Sequence, residues 1–417
     1  MYGAKYIVLV LIAVTFILFG LSVQPIASVL RGIVAIVVEP AILITDYMAV
    51  GGIGAAFVNS GLLMLVSLVM LLLLKVEIGG VSVAAVFLMG SFALFGKNIA
   101  NVWPIIFGVW LYSRLKREPF KNHVHVALLA TSIAPMVTEL LFITEMALWA
   151  RIVLSLAAGI GAGLLIVPLS VNVLKLHEGY NLYNIGFSVG ILGTVFVSVF
   201  KSYGYTTYTR MVWSTGNNQL LAMFLLLLFL SMMVIAVLMS RRVFVNWWKI
   251  IRLPGRLSSD FIAAEGFAPV LLNMGINGLF ALTYILLVGG SLNGPTIGGI
   301  LTVAGFGAFG KHFRNITPIF IGVVLGGITK TWNINDPAIL IAALFGTSLA
   351  PIAGQFGWKW GVAAGFINSS VVLNSGILHG GMNLYNTGFS AGIVAALMVP
   401  ILNILGRPKL LLKPDDL

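Results

Sequence analysis

Residues 46–111 align with residues 260–325 at a constant offset of 214, without a gap, and 20 of the 66 positions are identical. A second block, 172–192 against 374–394, matches at 13 of 21 positions. A chain that contains itself twice folds as two copies of one unit. Positions that both copies keep are the ones a single sequence can nominate. In a membrane chain, a duplicated half points to a transporter or channel whose pathway lies between the halves.

Composition places the chain in the membrane. Hydrophobic residues make up 59% of it and charged residues 9%. A soluble protein of 417 residues could not cover its surface with so few charges. Apolar runs at 6–22, 61–74 with its flanks, and 220–239 reach or approach the roughly 20 residues a bilayer needs. An all-α integral membrane protein is expected. The net charge of +12 does not mark a nucleic-acid binder. The basic residues gather in short loops, Arg114 to Lys121, Arg241 to Arg256 and Arg407 to Lys413, as in cytoplasmic loops. Cysteine is absent, which excludes disulfides, Cys-ligated metals and thiol catalysis. No metal site and no cofactor is expected. The 6–22 run lacks a small-residue cleavage site, so it reads as a first transmembrane helix and not as a signal peptide.

Seven candidate segments fall in each half, within repeats at 1–210 and 211–417. They lie near 6–22, 52–75, 81–96, 101–116, 124–142, 149–172 and 184–201. The second set lies near 217–240, 266–289, 296–309, 316–329, 338–352, 358–376 and 386–404. Residues 25–45 and 241–259 read as interfacial helices. With the N-terminus in the cytoplasm, all three basic clusters fall inside, and so does the C-terminus. An odd number of crossings per half inverts the second half relative to the first. Segments three and four of each half either cross or form a re-entrant hairpin, and the parity is the same.

Four duplicated motifs carry polar chemistry. In Phe95-Gly-Lys97-x-x-x-Asn101-x-x-Pro104 and Phe309-Gly-Lys311-x-x-x-Asn315-x-x-Pro318, a lysine precedes an Asn that suits an N-cap. Lysine beside a helix start suits an anion or polar carbonyl. A plain crossing would instead leave Lys97 and Lys311 snorkelling at the surface. The second motif holds His177, Asn181, Tyr183 and Asn184, repeated as His379, Asn383, Tyr385 and Asn386. These amides suit a neutral polar solute, or they form a structural turn. Gly186/Gly190 and Gly388/Gly392 make small faces for close helix approach. Third, Asp46 and Asp260 precede segment two of their halves, as ion sites or as helix caps. Asn59 and Asn273 lie deeper and suit helix bridging. Fourth, Thr131-Ser132-x-Ala-Pro135 and Thr347-Ser348-x-Ala-Pro351 mark a kink or a broken helix that could line an ion site. Glu139, Glu145 and Glu178 have no acidic counterpart in the other copy.

No catalytic constellation stands out. Gly186-Phe-Ser188-Val-Gly190 and its copy fit the nucleophile-elbow string, but no strand precedes them. Gly305-Phe-Gly307-Ala-Phe-Gly310 fits a dinucleotide fingerprint, again without a strand. An enzyme is therefore not expected, and neither is a scaffold, since inversion serves two faces of a membrane.

The two longest duplicated strings, Gly-Lys-x-x-x-Asn-x-x-Pro and Asn-Leu-Tyr-Asn-x-Gly-Phe-Ser-x-Gly-Ile, are similar to those of a bacterial family of duplicated polytopic membrane proteins of unknown function. Tyr183-Asn184-Ile-Gly186 and Tyr385-Asn386-Thr-Gly388 also resemble an element of urea transporters, which are inverted repeats. The chain lacks their Asn-Pro-Leu-x-Gly entrance element. The expectation is a permease of the bacterial cytoplasmic membrane for a small polar or anionic solute, with or without a coupling ion. A passive urea-type channel is the alternative. A homo-oligomer is compatible with the sequence.

Overall fold

The computed structural model describes residues 2–40, 44–143, 146–205, 210–257 and 259–405. Glu145 and the basic C-terminal cluster lie outside them. The first half runs α1 (Tyr2–Val23), α2 (Ile26–Val38), α3 (Tyr47–Gly51), α4 (Ile53–Leu73), α5 (Gly80–Phe92), α6 (Trp103–Leu115), α7 (Val124–Ala130), α8 (Ala134–Leu141), α9 (Leu148–His177) and α10 (Asn184–Ser202). The second repeats the order as α11 (Asn218–Met239), α12 (Val243–Ile250), α13 (Phe261–Glu265), α14 (Phe267–Leu287), α15 (Gly294–Gly305), α16 (Phe313–Thr329), α17 (Pro337–Gly346), α18 (Ala350–Phe356), α19 (Trp358–Leu378) and α20 (Asn386–Leu405). The helices α2 and α12 fall where interfacial helices are expected. Ile26, Leu30 and Val34 of α2 face outward, while Val29 and Ile36 are buried.

Among the described residues, ten helical stretches are long and apolar enough to cross a membrane. Fourteen crossings are therefore not what the chain makes. Segments three and four of each half are the exceptions. Helices α5 and α6 have 13 residues each, α15 has 12 and α16 has 17, roughly 18–26 Å against a hydrocarbon core of about 30 Å. They form hairpins. The Ser82 hydroxyl near the start of α5 lies 2.9 Å from His125 Nε2, beyond the end of α6, so the chain returns to the end it entered from. The five long stretches left in each half are still odd in number, which keeps the inversion.

The inversion is visible where the hairpins meet. Helices α5 and α15 lie side by side and antiparallel. A Cβ on Gly80 would come within 2.4 Å of the Ala308 carbonyl, and one on Gly294 within 2.3 Å of the Leu94 carbonyl. Only glycine permits those approaches at the two helix starts. Near the second of these contacts, the Ser91 hydroxyl donates to the Gly298 carbonyl at 2.5 Å. A two-fold axis perpendicular to this pair relates the halves, and that axis lies in the membrane plane.

Candidate functional site

An aromatic layer fills the centre, between the halves. The rings of Tyr183 and Tyr385 pack with centroids 4.8 Å apart. Tyr183 meets Phe306 edge-on at 4.8 Å, and Tyr385 meets Phe92 edge-on at 4.6 Å. All four are buried. Phe92 and Phe306 were not singled out from the sequence, although they are identical at the 214-residue offset. Phe345 closes the layer 6.3 and 6.4 Å from the two tyrosines. Its counterpart is Leu129, so duplication carries no signal for it.

The two lysines flank this layer. Each hairpin turns at a glycine of positive φ, Gly96 (156°) and Gly310 (101°), a conformation that glycine adopts without strain. Lys97 and Lys311 follow, and both are fully buried. They do not snorkel. Lys311 Nζ donates to the Tyr183 hydroxyl at 2.5 Å and lies 4.6 and 5.1 Å from the ring centroids of Tyr183 and Phe306. Lys97 Nζ has only 3.5 Å contacts to Met89 Sδ and the Leu128 carbonyl, and lies 5.1 Å from the Phe92 centroid. Among the described residues, the ion pairs formed involve neither lysine.

The asparagines beyond the lysines are not N-caps, as the sequence pattern suggests. His312 caps α16, and Asn315 sits three residues later as its reciprocal partner, with Oδ1 accepting the His312 amide at 2.9 Å. In the first half Asn98 Oδ1 accepts the amides of Ala100 and Asn101, and Asn101 Oδ1 accepts that of Asn98. Asn101 and Asn315 also tie back to the tip, donating to Gly96 and Gly310 carbonyls at 3.0 and 2.9 Å. The cap lies three residues upstream in the second copy, and in the first the Asn98–Asn101 pair closes a turn before α6, whose N-cap is Val102. Asn59 and Asn273 bridge helices as expected. Each amide donates twice to its hairpin, to Ala93 and Lys97 carbonyls or to Gly307 and Lys311 carbonyls, at 2.7–2.9 Å.

Asn181 and Asn383 clasp the halves together. Asn181 Nδ2 donates to the Gly388 carbonyl at 2.9 Å, and Asn383 Nδ2 to the Gly186 carbonyl at 3.2 Å. Asn184 and Asn386 hold the preceding helix. Their Oδ1 atoms pair with His177 and His379 Nε2, and their amides donate to Ser170 and Val372 carbonyls. All four amides are committed to the protein itself.

Asp46 and Asp260 are caps. Asp46 accepts from the amides of Met48, Ser214 and Gly294 and from the Ser214 hydroxyl. Asp260 accepts from Ile262, Ala263 and Gly80 amides. The Thr-Ser-x-Ala-Pro motifs break their helices with a 3₁₀ turn at Thr131–Ile133 and Thr347–Leu349. Thr131 and Thr347 hydroxyls bond locally to Leu128 and Leu344 carbonyls at 2.6 Å. The Ser132 carbonyl takes the Leu384 amide and the Ser348 carbonyl the Leu182 amide, both at 3.0 Å, across the halves. The hydroxyls of Ser132 and Ser348 are buried without a hydrogen-bond partner. Glu139 accepts from the Tyr205 hydroxyl at 2.6 Å, and Glu178 pairs with Arg256 at 3.7 Å.

Of two cavities near the halves' junction, one reaches the layer. One of about 200 Å³ is lined by Val81, His125, Asn184, Leu257 and the layer residues Tyr183, Phe306 and Tyr385. The other, about 320 Å³, is lined by Ile44, Arg210, Ala338, Ile341, Leu373 and Asn386. Asn184 and Asn386 are counterparts, as are His125 and Ile341; the remaining lining residues of the two cavities do not correspond.

Fold and centre together define an all-helical polytopic membrane protein built as a two-part repeat. The chain belongs to the family described as proteins of unknown function, DUF1576, whose model matches residues 13–202 and 239–404. No curated protein and no solved structure matches, so the likeness to urea transporters finds no support there.

Proposed function

We propose that this protein is a permease of the bacterial cytoplasmic membrane, a secondary transporter that carries a small anionic solute between its halves. The observation that carries this reading is the pair Lys97 and Lys311. Each is buried at a hairpin tip beside the central layer, with no carboxylate in ion-pair distance among the described residues. A buried cation without a counter-charge is costly, and such residues inside membrane proteins mark substrate or ion pathways. An anion in transit would supply the missing charge. The cavity that reaches the layer supports a path to the centre from one end. A neutral solute read by the asparagines has less support, because their amides are already bonded within the protein.

The sidedness goes with this reading: both termini, the 114–121 loop and the 241–256 loop face the cytoplasm. A coupling ion, if the carrier uses one, is held by groups other than Asp46 and Asp260, whose oxygens are occupied. The test is uptake of labelled small anions into proteoliposomes. Saturable uptake that responds to an ion gradient is expected, and a passive channel would show no coupling. Lys97→Gln and Lys311→Gln should each lose uptake while remaining folded. Anion uptake unaffected by both changes would refute the role.

A further inference from the structure

We infer that the transported anion is amphipathic, a small monocarboxylate whose apolar body occupies the 200 Å³ cavity and whose charge faces the Tyr183–Lys311 end. This rests on the transport reading above and adds the chemical class of the solute. The cavity has the volume of about half a dozen waters at about 30 Å³ each. Val81, Ala84, Val126, Leu129, Leu182 and Phe309 are among the apolar residues of its wall.

Few of its polar groups are free to bind hydroxyls. Asn184 spends Oδ1 on His177 and its amide on the Ser170 carbonyl. His125 Nε2 is engaged with Ser82. A sugar, polyol or urea would leave its own donors and acceptors unpaired there, which costs about 1–3 kcal/mol for each buried group. Among the described residues, no Asp or Glu lines the cavity. Positive charge stands directly behind one wall, where Lys311 Nζ lies 4.6 and 5.1 Å from the centroids of Tyr183 and Phe306 and bonds the tyrosine hydroxyl. A largely apolar cavity with a cation bonded to the hydroxyl of one wall tyrosine fits a molecule with an apolar body and one negative end. The second cavity differs: Ile44, Met211, Ile341 and Leu373 line it, but its cation Arg210 is already paired with Glu39.

The test is thermal unfolding of the purified full-length protein in detergent with three probes: benzoate, its neutral isostere benzamide, and inorganic phosphate. Benzoate should raise the unfolding temperature, with a shift that grows with the logarithm of its concentration. Benzamide and phosphate should not. Ala84→Leu fills the cavity and should abolish the benzoate shift, and Val126→Phe is the second filling variant should the first not fold. Lys311→Gln should also abolish it. No benzoate shift, or one that survives both filling variants, overturns the inference. An equal phosphate shift overturns the apolar part and leaves the anion reading standing. An equal benzamide shift overturns the assignment of charge to the Lys311 end. Lysine-dependent uptake of other anions, without benzoate binding, would sink this inference alone.

Discussion

Asp46 Oδ1 accepts the amide of Gly294 at 3.0 Å, so a carboxylate in the first half caps the first turn of a hairpin helix in the second. The relation is reciprocal, since Asp260 Oδ2 accepts the amide of Gly80 at 2.8 Å. Each aspartate also caps the short helix that follows it in its own half. Two helix starts from different halves thus share one carboxylate at each end of the hairpin pair. These residues fix how the halves register against one another.

Asp46→Ala should destabilise the fold by about 2 kcal/mol, the sum of two caps at about 1 kcal/mol each. Asp260→Ala should do the same. The Asn variants retain one acceptor oxygen and should lose less. Chemical unfolding in detergent measures this, and a loss no larger than a single cap would remove the cross-half role.

The start of α10 crosses that of α20 by ring-into-notch packing. A Cβ on Gly190 would lie 2.4 Å from the Phe389 ring, and one on Gly392 2.2 Å from the Phe187 ring. Gly190→Ala and Gly392→Ala should each cost about 1–3 kcal/mol through overpacking. Pairing Gly190→Ala with Phe389→Leu should recover part of the loss. No rescue in that double variant would mean that the notch is not what the glycine serves.

Much of this architecture was legible because duplication filters one sequence against itself. It exposed the hairpin tips, the Asn-Leu-Tyr-Asn clasp and the odd segment count. The caps at Asp46 and Asp260 were legible as local signals, but their second partners were not. Gly294 lies 248 residues from Asp46, and no local pattern encodes that pairing. The depth of Lys97 and Lys311 was equally hidden, because hydropathy gives segment length and not the path of a hairpin. Asn101 and Asn315 show the converse failure: the polar type was right but not the role, since His312 caps α16 and Asn101 closes a turn with Asn98. Phe345 was invisible, since only one half carries an aromatic residue there.

Absence of cysteine makes sidedness directly measurable. Single-cysteine variants Lys116→Cys and Asn333→Cys place one thiol in each of two exposed loops. In intact bacterial cells an impermeant maleimide should label the second and spare the first until the membrane is opened. Equal labelling of both from outside would contradict the inverted arrangement of these loops.

Lys97 has the weaker environment of the two lysines, with only 3.5 Å contacts to Met89 Sδ and the Leu128 carbonyl. A group kept for a passing ligand costs stability when the ligand is absent. Lys97→Met should therefore raise stability by about 0.5–2 kcal/mol while removing uptake. Thermal unfolding and proteoliposome uptake on the same preparation check both halves of the statement. A variant that is less stable would make Lys97 a structural residue.

The two halves differ at one equivalent bond. Lys311 Nζ holds the Tyr183 hydroxyl at 2.5 Å, whereas Lys97 makes its contacts to Met89 and Leu128 and not to Tyr385. Inverted repeats alternate access when the halves move against one another about the central site. The prediction is that the state open to the opposite end has Lys97 on Tyr385 and Lys311 released from Tyr183. A hydrogen bond to a charged group is worth about 1.5–3 kcal/mol, so Tyr183→Phe should move the equilibrium at least about tenfold toward the exchanged state. Tyr385→Phe should move it the other way. Single cysteines at Val81 and Ala338 report on the two cavities. Their labelling rates should change in opposite directions in each tyrosine variant, and with opposite sign between the two variants. Rates that respond identically to Tyr183→Phe and Tyr385→Phe would show that the lysine–tyrosine bond belongs to a single static state.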